Sequence, residues 1–262
     1  MPDINETTGV ARRELTIFYV LDTSGSMTGA PIGKLNRAMN ETIEALKSLA
    51  KSNADALLKV AVLEFNSGCK WVNSSGPEEM EDFVWEDLDA GGLTDVGAAL
   101  KELDGKLSRN AFLQSMTGAY LPVIIFMTDG CATDDYKKAL SEIRNNKWFT
   151  RATKIGFALG ESPDMKMISE VVGNSEAVIK TDDLDLFGRL IKFASVTASM
   201  LASQSKTSND VPTGEDVIKK FKNENSEVVE EITPDPTEVV GYDAEPEPDS
   251  GDDEGWGGSD WD

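Results

Sequence analysis

The chain has 262 residues, with 25 Lys or Arg against 47 Asp or Glu, so its formal charge is −22. This length allows one good-sized core, with residues left over for a small domain or a tail. An acidic chain is poorly suited to non-specific binding of phosphate backbones, so nucleic acid is not an expected partner. Basic proteins and cations are the expected partners.

The residue types present restrict the chemistry further. Histidine is absent, which excludes His-based triads, His general bases and His metal ligands in this chain. Cys69 and Cys131 form no CxxC pair, so we expect buried free thiols rather than a disulfide framework or a zinc knuckle. We find neither a signal-peptide core near residue 1 nor a run of about 18–20 apolar residues that could span a bilayer. We therefore expect a cytoplasmic protein without a membrane span.

The first elements alternate between strand and helix patterns. Residues 14–22, ELTIFYVLD, form a short apolar run typical of a strand buried on both faces. Apolar residues at steps of three and four from Ile32 to Ala50 predict an amphipathic helix. Residues 56–66 predict a second strand. Residues 69–73 follow Ser-Gly and predict the return arm of a hairpin, which would be an antiparallel edge strand.

The middle of the chain continues the alternation. A glycine-rich loop at 90–95, AGGLTD, precedes a helix marked by apolar residues from Val96 to Leu107. Residues 121–130, LPVIIFMTDG, are the most apolar strand pattern in the chain and end in an Asp-Gly turn signal. A helix is predicted from about residue 134 to residue 146.

The last elements complete the predicted domain. Strands are predicted at 153–160 and 176–183, and a short helix capped by Ser-Pro-Asp runs to Val172. A long, very apolar helix follows over 184–203. The strand and helix alternation predicts an α/β fold: a doubly wound, mostly parallel sheet with one antiparallel edge strand. We place this domain at 13–203, after an N-terminal extension of residues 1–12.

Beyond residue 203 the composition changes. From Asp210 onward the chain has 18 acidic residues and three lysines, a net charge of −15, whereas residues 1–209 carry only −7. Pro- and Glu-rich sequence of this kind cannot form a core. Residues 204–262 are therefore predicted to be an acidic, largely disordered tail, interrupted by apolar segments at 217–221 and 227–232.

Oxygen-bearing side chains follow three of the predicted strands or loops. Asp22, Ser24 and Ser26 follow the first strand, Thr94 follows the Gly-Gly pair, and Asp129 ends the most apolar strand. Ligands of open α/β sheets bind beyond the carboxyl ends of strands, where the strand order reverses. If the strands ending at Asp22 and Asp129 are neighbours there, these side chains meet. Two carboxylates and three hydroxyls form a hard oxygen set that suits Mg²⁺, with Mn²⁺ or Ca²⁺ possible, rather than zinc or copper.

The order of these motifs resembles a known family. DTSGS, then GGLTD, then MTDG on an alternating α/β chain is similar to the von Willebrand factor A domain and its metal-ion-dependent adhesion site. The resemblance implies that Ser24 and Ser26 bind the metal through their hydroxyls. It implies direct or water-mediated binding by Thr94 and mainly water-mediated roles for Asp22 and Asp129. A partner protein would supply Glu or Asp to the remaining coordination position.

The resemblance also suggests a biological setting. FYVLDTSGSM and FMTDG resemble the bacterial tellurium-resistance-type group of cytoplasmic members, which implies protein kinase and phosphatase partners in a stress or defence system. The expected function is a non-catalytic, cation-dependent protein-interaction scaffold. Two alternatives stay open: a metal-dependent phosphoester hydrolase at the same site, and a structural subunit docked through its acidic tail.

Simpler interpretations of the same residues also stay open. The DTSGS loop and Thr94 could be helix caps, and Asp129 could be no more than the first residue of a turn. A phosphate-binding loop at GAPIGKL lacks the required Gly and Ser or Thr, because Thr28 and Leu35 occupy those positions.

The tail contains one candidate binding element. Trp256, Asp260, Trp261 and Asp262 combine aromatic anchors with acids, a pattern that suits a short recognition motif or an acid offered to a neighbouring molecule's metal.

Overall fold

The structure is a computed structural model that describes residues 12–116, 118–205 and 211–224. These residues form a seven-stranded sheet with helices packed against it. The strands are β1 (Arg13–Asp22), β2 (Ala56–Asn66), β3 (Gly68–Trp71), β4 (Glu78–Glu79), β5 (Val123–Thr128), β6 (Thr153–Leu159) and β7 (Val178–Thr181). The helices are α1 (Ala30–Ser52), α2 (Val96–Lys106), α3 (Tyr136–Ile143), α4 (Lys147–Thr150), α5 (Met165–Val172), α6 (Leu184–Gln204) and α7 (Gly214–Glu224).

The sheet order is β3-β2-β1-β5-β6-β7, and β1, β2, β5, β6 and β7 run parallel. The antiparallel edge strand β3 pairs with β2, as the hairpin pattern predicts. The two-residue strand β4 also pairs antiparallel with β2 and is too short to be seen in the sequence pattern. The predicted doubly wound α/β fold is thereby confirmed.

The chain leaves β1 in one direction to form β2 and later returns to β1 on its other side to form β5. Right-handed crossovers in opposite directions place helices on opposite faces of a sheet. Helix α1 accordingly packs against α6, and α2 packs against α3. The strand order reverses between β1 and β5, and a crevice opens at their carboxyl ends.

The central strands are buried on both faces. Every residue of β5 is buried, as is every residue of β1 after Glu14. Phe65 of β2 and Phe126 of β5 stack with ring centroids 5.8 Å apart. The Tyr19 hydroxyl donates to Ser195 Oγ of α6 at 2.8 Å, which satisfies a polar group that burial would otherwise penalise. Burial raises the pKa of Tyr19, so this phenol stays protonated.

Some local predictions differ from the structure. The helix predicted over 134–146 is α3 alone, and α4 is a separate short helix after it. Cys69 is half-buried, its thiol lies 3.5 Å from the Ala98 carbonyl, and burial raises its pKa to about 11. Cys131 is exposed, so the expectation of two buried thiols is wrong for that residue. Cys131 follows Gly130 in the loop after β5, and its side chain is exposed to solvent there.

The packed structure continues beyond residue 203, where the tail was expected to begin. Val217, Ile218 and Phe221 of α7 are at most 6% exposed, and the rings of Phe221 and Phe193 meet edge-to-face at 5.0 Å. Asn174 Nδ2 donates to Glu215 Oε2 at 3.0 Å. The apolar segment at 217–221 thus belongs to the packed part of the chain. The remaining predicted tail, residues 225–262, lies outside the described residues.

In the part of the chain that the structure describes, we find no helix with the length and apolar character needed to cross a membrane.

We expect Phe221→Ala to lower the free energy of unfolding by about 3 kcal/mol, because it removes a buried ring and leaves a cavity between α7 and α6. Urea unfolding followed by circular dichroism measures this change. Asn223→Ala, an exposed position on the same helix, is the control and should be near neutral. Equal stability of the two variants would show that α7 does not contribute to the core.

Candidate functional site

The site begins where β1 ends, at a fully buried carboxylate. Asp22 is 0% exposed, and both of its oxygens accept hydrogen bonds. Oδ1 accepts from the Ser24 backbone N–H at 2.7 Å, and Oδ2 accepts from Thr128 Oγ1 at 2.5 Å. The first bond turns the loop after β1, and the second ties that loop to β5. Asp22 therefore orients the loop from inside the protein.

A chain of hydroxyls leads from this loop to Asp129. Ser24 Oγ lies 3.1 Å from Ser26 Oγ, and Ser26 Oγ donates to Asp129 Oδ1 at 2.7 Å. Ser24 is 1% exposed, whereas Ser26 is exposed at the surface. The predicted meeting of the strand ends that carry Asp22 and Asp129 is thus seen in the geometry, because β1 and β5 are neighbours.

Thr94 reaches the same place from a separate loop. A Cβ placed on Gly130 would lie 3.9 Å from both Thr94 Oγ1 and Ser26 Oγ. Thr94 is 7% exposed, and its hydroxyl makes no hydrogen bond with any residue in the described part of the chain. The structure therefore brings all five predicted residues to one edge of the sheet, with one hydroxyl left available.

The loop that carries Thr94 is fixed to the loop after β1 by backbone hydrogen bonds. Gly25 N–H donates to the Gly92 carbonyl at 3.0 Å, and Gly91 N–H donates to the Thr23 carbonyl at 2.8 Å. Gly92 has φ +85°, and a Cβ there would lie 2.7 Å from Ser67 Oγ. A residue with a side chain would be strained at this position, so glycine is required where this loop passes close to the turn between β2 and β3.

The helix-cap alternatives do not describe these side chains. Ser24 precedes a single 3-10 turn, Gly25–Met27, and makes no side-chain capping bond to it. The residue before α1 is Gly29, and the residue before α2 is Asp95 rather than Thr94. Neither Ser24 nor Thr94 therefore serves as a side-chain cap of the helix that follows it.

Sequence reasoning missed three supporting residues. Asp134 Oδ1 and Oδ2 accept from the first amides of α2, Gly97 N–H at 2.8 Å and Ala98 N–H at 2.9 Å. Asp95 accepts from Gly68 N–H at 2.8 Å and from Thr133 Oγ1 at 3.0 Å. These bonds join the loops after β2 and β5 to the start of α2.

The third missed residue is Thr128, the last residue of β5, which holds Asp22. In the sequence, the only signal of Thr128 is a hydroxyl beside Asp129 in an otherwise apolar strand. The pairing of β1 with β5 is what shows that the Thr128 side chain faces Asp22.

The site carries negative charge without a balancing cation. In the described part of the chain, neither Asp22 nor Asp129 forms an ion pair. Burial raises the pKa of Asp22, and the nearby charge of Asp129 raises it further, while hydrogen bonds from Thr128 and Ser24 lower it. Two neighbouring carboxylates without a positive partner are electrostatically unfavourable, and a bound dication would relieve that.

The donor set fits a hard, partly hydrated cation. Among residues 12–116, 118–205 and 211–224, no group of three or more His, Cys, Asp and Glu side chains could hold a metal ion. A cation here would instead depend on two carboxylates, three hydroxyls and water. Magnesium keeps several waters and prefers oxygen ligands, so it suits such a set better than zinc does.

The four predicted binding residues of the tail, Trp256, Asp260, Trp261 and Asp262, lie outside the described residues.

Solved structures share this fold at low sequence identity. Von Willebrand factor type A from Catenulispora acidiphila is 16% identical with a TM-score of 0.53, covering 73% of this chain and 43% of that one. The ArnB paralog VWA2 from Sulfolobus acidocaldarius is 12% identical with a TM-score of 0.51, covering 71% and 46%. The pilus adhesin SpaC from Lactobacillus rhamnosus GG, in its open conformation, is 12% identical with a TM-score of 0.51, covering 80% and 30%. This chain thus spans less than half the length of each.

Among curated protein sequences, none matches this chain. The family model described as von Willebrand factor type A domain matches residues 16–192. That match runs from β1 into α6 and includes Asp22, Ser24, Ser26, Thr94 and Asp129. The chain therefore belongs to the von Willebrand factor type A domain family.

Proposed function

We propose that this chain is a non-catalytic protein-interaction module whose binding depends on a divalent cation. The observation that carries the proposal is the connected set of Ser24, Ser26 and Asp129 beside the buried Asp22, with no cationic side chain of the described residues paired to either acid. Mg²⁺ is the proposed cation, and Mn²⁺ or Ca²⁺ would fit the same oxygen ligands. When bound, the cation supplies an open coordination position for a carboxylate.

The hydrogen bonds support a division of roles among the residues. Both oxygens of Asp22 are already held by Ser24 and Thr128, so Asp22 would act through coordinated water. The hydroxyls of Ser24, Ser26 and Thr94 would bind the cation directly. Asp129, half-buried at the end of the hydroxyl chain, would hold water. Few anionic groups would then touch the cation, which leaves it attractive to Glu or Asp from a partner protein.

The burial of Asp22 argues against the hydrolase alternative. An aspartate nucleophile must reach its substrate, but Asp22 is fully buried with both oxygens engaged. The chain also has no histidine to serve as a general base. Membership of the bacterial tellurium-resistance-type group, kinase and phosphatase partners, a stress or defence role and a cytoplasmic location stay predictions from the sequence.

We expect Asp129→Ala to weaken Mg²⁺ binding at least tenfold, because the hydroxyl chain loses the carboxylate that ends it. Titration calorimetry with MgCl₂ measures this affinity. Asp135→Ala is the matched control: it removes the same charge from the same loop, at an exposed acid that makes no side-chain cap. Equal weakening by both variants would mean that only general negative charge attracts the cation.

We expect affinity capture with the intact protein to recover a carboxylate-bearing partner in Mg²⁺, and to lose it in chelator or with Asp129→Ala. The cation links the two proteins in this proposal, so each treatment removes the link. Capture that survives the chelator would favour a structural subunit docked through its tail. A phosphoester turnover that disappears in Asp22→Ala would favour a hydrolase.

The tail is proposed as a second docking element, through Trp256, Asp260, Trp261 and Asp262. We expect deletion of residues 252–262 to abolish one partner interaction and to leave folding and Mg²⁺ affinity unchanged. Parallel pull-downs with the full and shortened chains measure the loss, and Trp256→Ala with Trp261→Ala tests the aromatic anchors alone. Retention of every partner by the shortened chain contradicts this role.

A further inference from the structure

A basic cavity lies at the end of the sheet opposite the candidate site. Its volume is about 450 Å³, and its walls come from the start of β6, the end of α5 and the start of α7. Three of the lining residues are cations: Arg144, Arg151 and Lys154. Lys154 lies at the amino end of β6, whereas Asp129 follows the carboxyl end of the parallel neighbour β5. The length of β6 therefore separates the cavity from the candidate site by roughly 20 Å.

The positive charge of this cavity is not neutralised by the residues that the structure describes. Within them, neither Arg144 nor Lys154 forms an ion pair. Lys154 Nζ donates to the Phe149 carbonyl at 2.9 Å, and Arg144 Nη2 donates to the Glu170 carbonyl at 2.7 Å. Both side chains have further N–H donors beyond these bonds. Burial and the neighbouring charge of Arg144 lower the pKa of Lys154 to about 8, so a bound anion would stabilise both cations.

The remaining lining is an acid that faces another residue, together with apolar side chains. Among the described residues that line the cavity, Glu170 is the one acid. Its Oε2 accepts from the Tyr136 hydroxyl at 3.0 Å rather than from a cation. Large apolar lining residues surround the cations: Phe149, Val171, Val172, Val211 and Pro212. The cavity therefore suits carboxylates that are flanked by apolar side chains.

A segment of this composition follows α7 in the chain. Helix α7 ends at Glu224, and residues 227–232, EVVEEI, combine three glutamates with two valines and an isoleucine. This is the second apolar segment of the acidic sequence after residue 203, and it lies outside the described residues. From residue 225 to residue 262 the chain has 14 acidic residues and no Lys or Arg. Its charge is therefore complementary to that of the cavity.

The cavity is within reach of this segment. Gly214, the first residue of α7, lines the cavity and packs so closely on the Lys154 carbonyl that a Cβ would not fit. Helix α7 has 11 residues and is about 16 Å long, so its last residue, Glu224, lies about that far from the cavity. An extended chain covers about 3.3 Å per residue. Glu230 and Glu231 follow Glu224 closely enough to return to the cavity, because about five residues span the distance.

From this arrangement we infer that residues 227–232 bind in the basic cavity of the same chain. Glu230 and Glu231 would pair with the cations, and the apolar residues of the segment would pack against the apolar walls. The inference goes beyond the proposed function, because the cation has no part in it. This contact would fix the start of the tail at the amino end of the sheet. The cation site and the terminal residues of the tail would then serve partners at opposite ends of the domain.

Limited proteolysis of the full chain with a glutamyl endopeptidase tests this contact, because the enzyme cuts after Glu230 and Glu231 only when they are accessible. We expect Lys154→Gln to increase the rate of both cuts about tenfold, since it removes a charged hydrogen-bond donor of the cavity. The rate of cutting after Glu254, further along the same tail, should be unchanged. Mass spectrometry of the fragments measures the rate at each site.

Two further variants separate this contact from unfolding and from general charge. Arg144→Gln changes an exposed lining residue and should also speed both cuts. Lys147→Gln is the matched control, because Lys147 is an exposed cation on α4 that does not line the cavity. It should leave both cuts slow. Cutting after Glu215, in the first turn of α7, reports unfolding of that helix and should be the same in all variants.

Three results would overturn the inference. One is equal cutting after Glu230 and Glu231 in the unchanged chain, Lys154→Gln and Arg144→Gln. Another is a parallel rise in cutting after Glu215 in both variants, which would show that the cavity cations hold α7 rather than the tail. The third is protection that is lost when the unchanged chain is diluted, which would place a second copy's segment in the cavity. Mg²⁺ affinity should be unchanged in every variant, so the proposed function is tested separately.

Discussion

The site depends on the pair formed by Asp22 and Thr128 across the central strands. Asp22 is buried at the end of β1, and the Thr128 hydroxyl at the end of β5 donates to it at 2.5 Å. A buried carboxylate without hydrogen bonds would be strongly unfavourable, so this bond, with the one from Ser24 N–H, stabilises an acid in the interior. The strand order reverses between β1 and β5. The bond between Asp22 and Thr128 keeps the loop after β1 close to the loop after β5.

The surrounding loops are braced by polar bonds between them. Asp134 holds the first amides of α2, Asp95 joins the loops after β2 and β5, and the Gly25 to Gly92 bond closes the gap between two loops. Such a frame keeps the hydroxyls of Ser24, Ser26 and Thr94 in set positions. Binding sites on loops are most precise when supporting groups of this kind fix their backbone.

Much of the fold follows from apolar periodicity. The five parallel strands and the long helices have strong patterns of apolar residues because their buried faces are wide. Strand β4 has two residues and helix α4 has four, which is too short for a periodic pattern of apolar residues. The docking of α7 was not predicted, since its segment 217–221 lies in acidic, polar sequence. Its apolar face is stabilised only by contact with residues such as Phe193, which are distant in the chain.

The sequence by itself determined the strand and helix order and the types of oxygen-bearing side chain in the candidate site, since these depend on local patterns and on which residues are present. It also placed Asp22, Ser24, Ser26 and Asp129 at or after strand ends and Thr94 in the loop before a helix. Tertiary structure alone decided that β1 and β5 are neighbours, that Thr128 faces Asp22, and that Asp134 caps α2. These are contacts between segments far apart in the chain, and they depend on which strands pair and on the register of pairing. No local pattern contains that information.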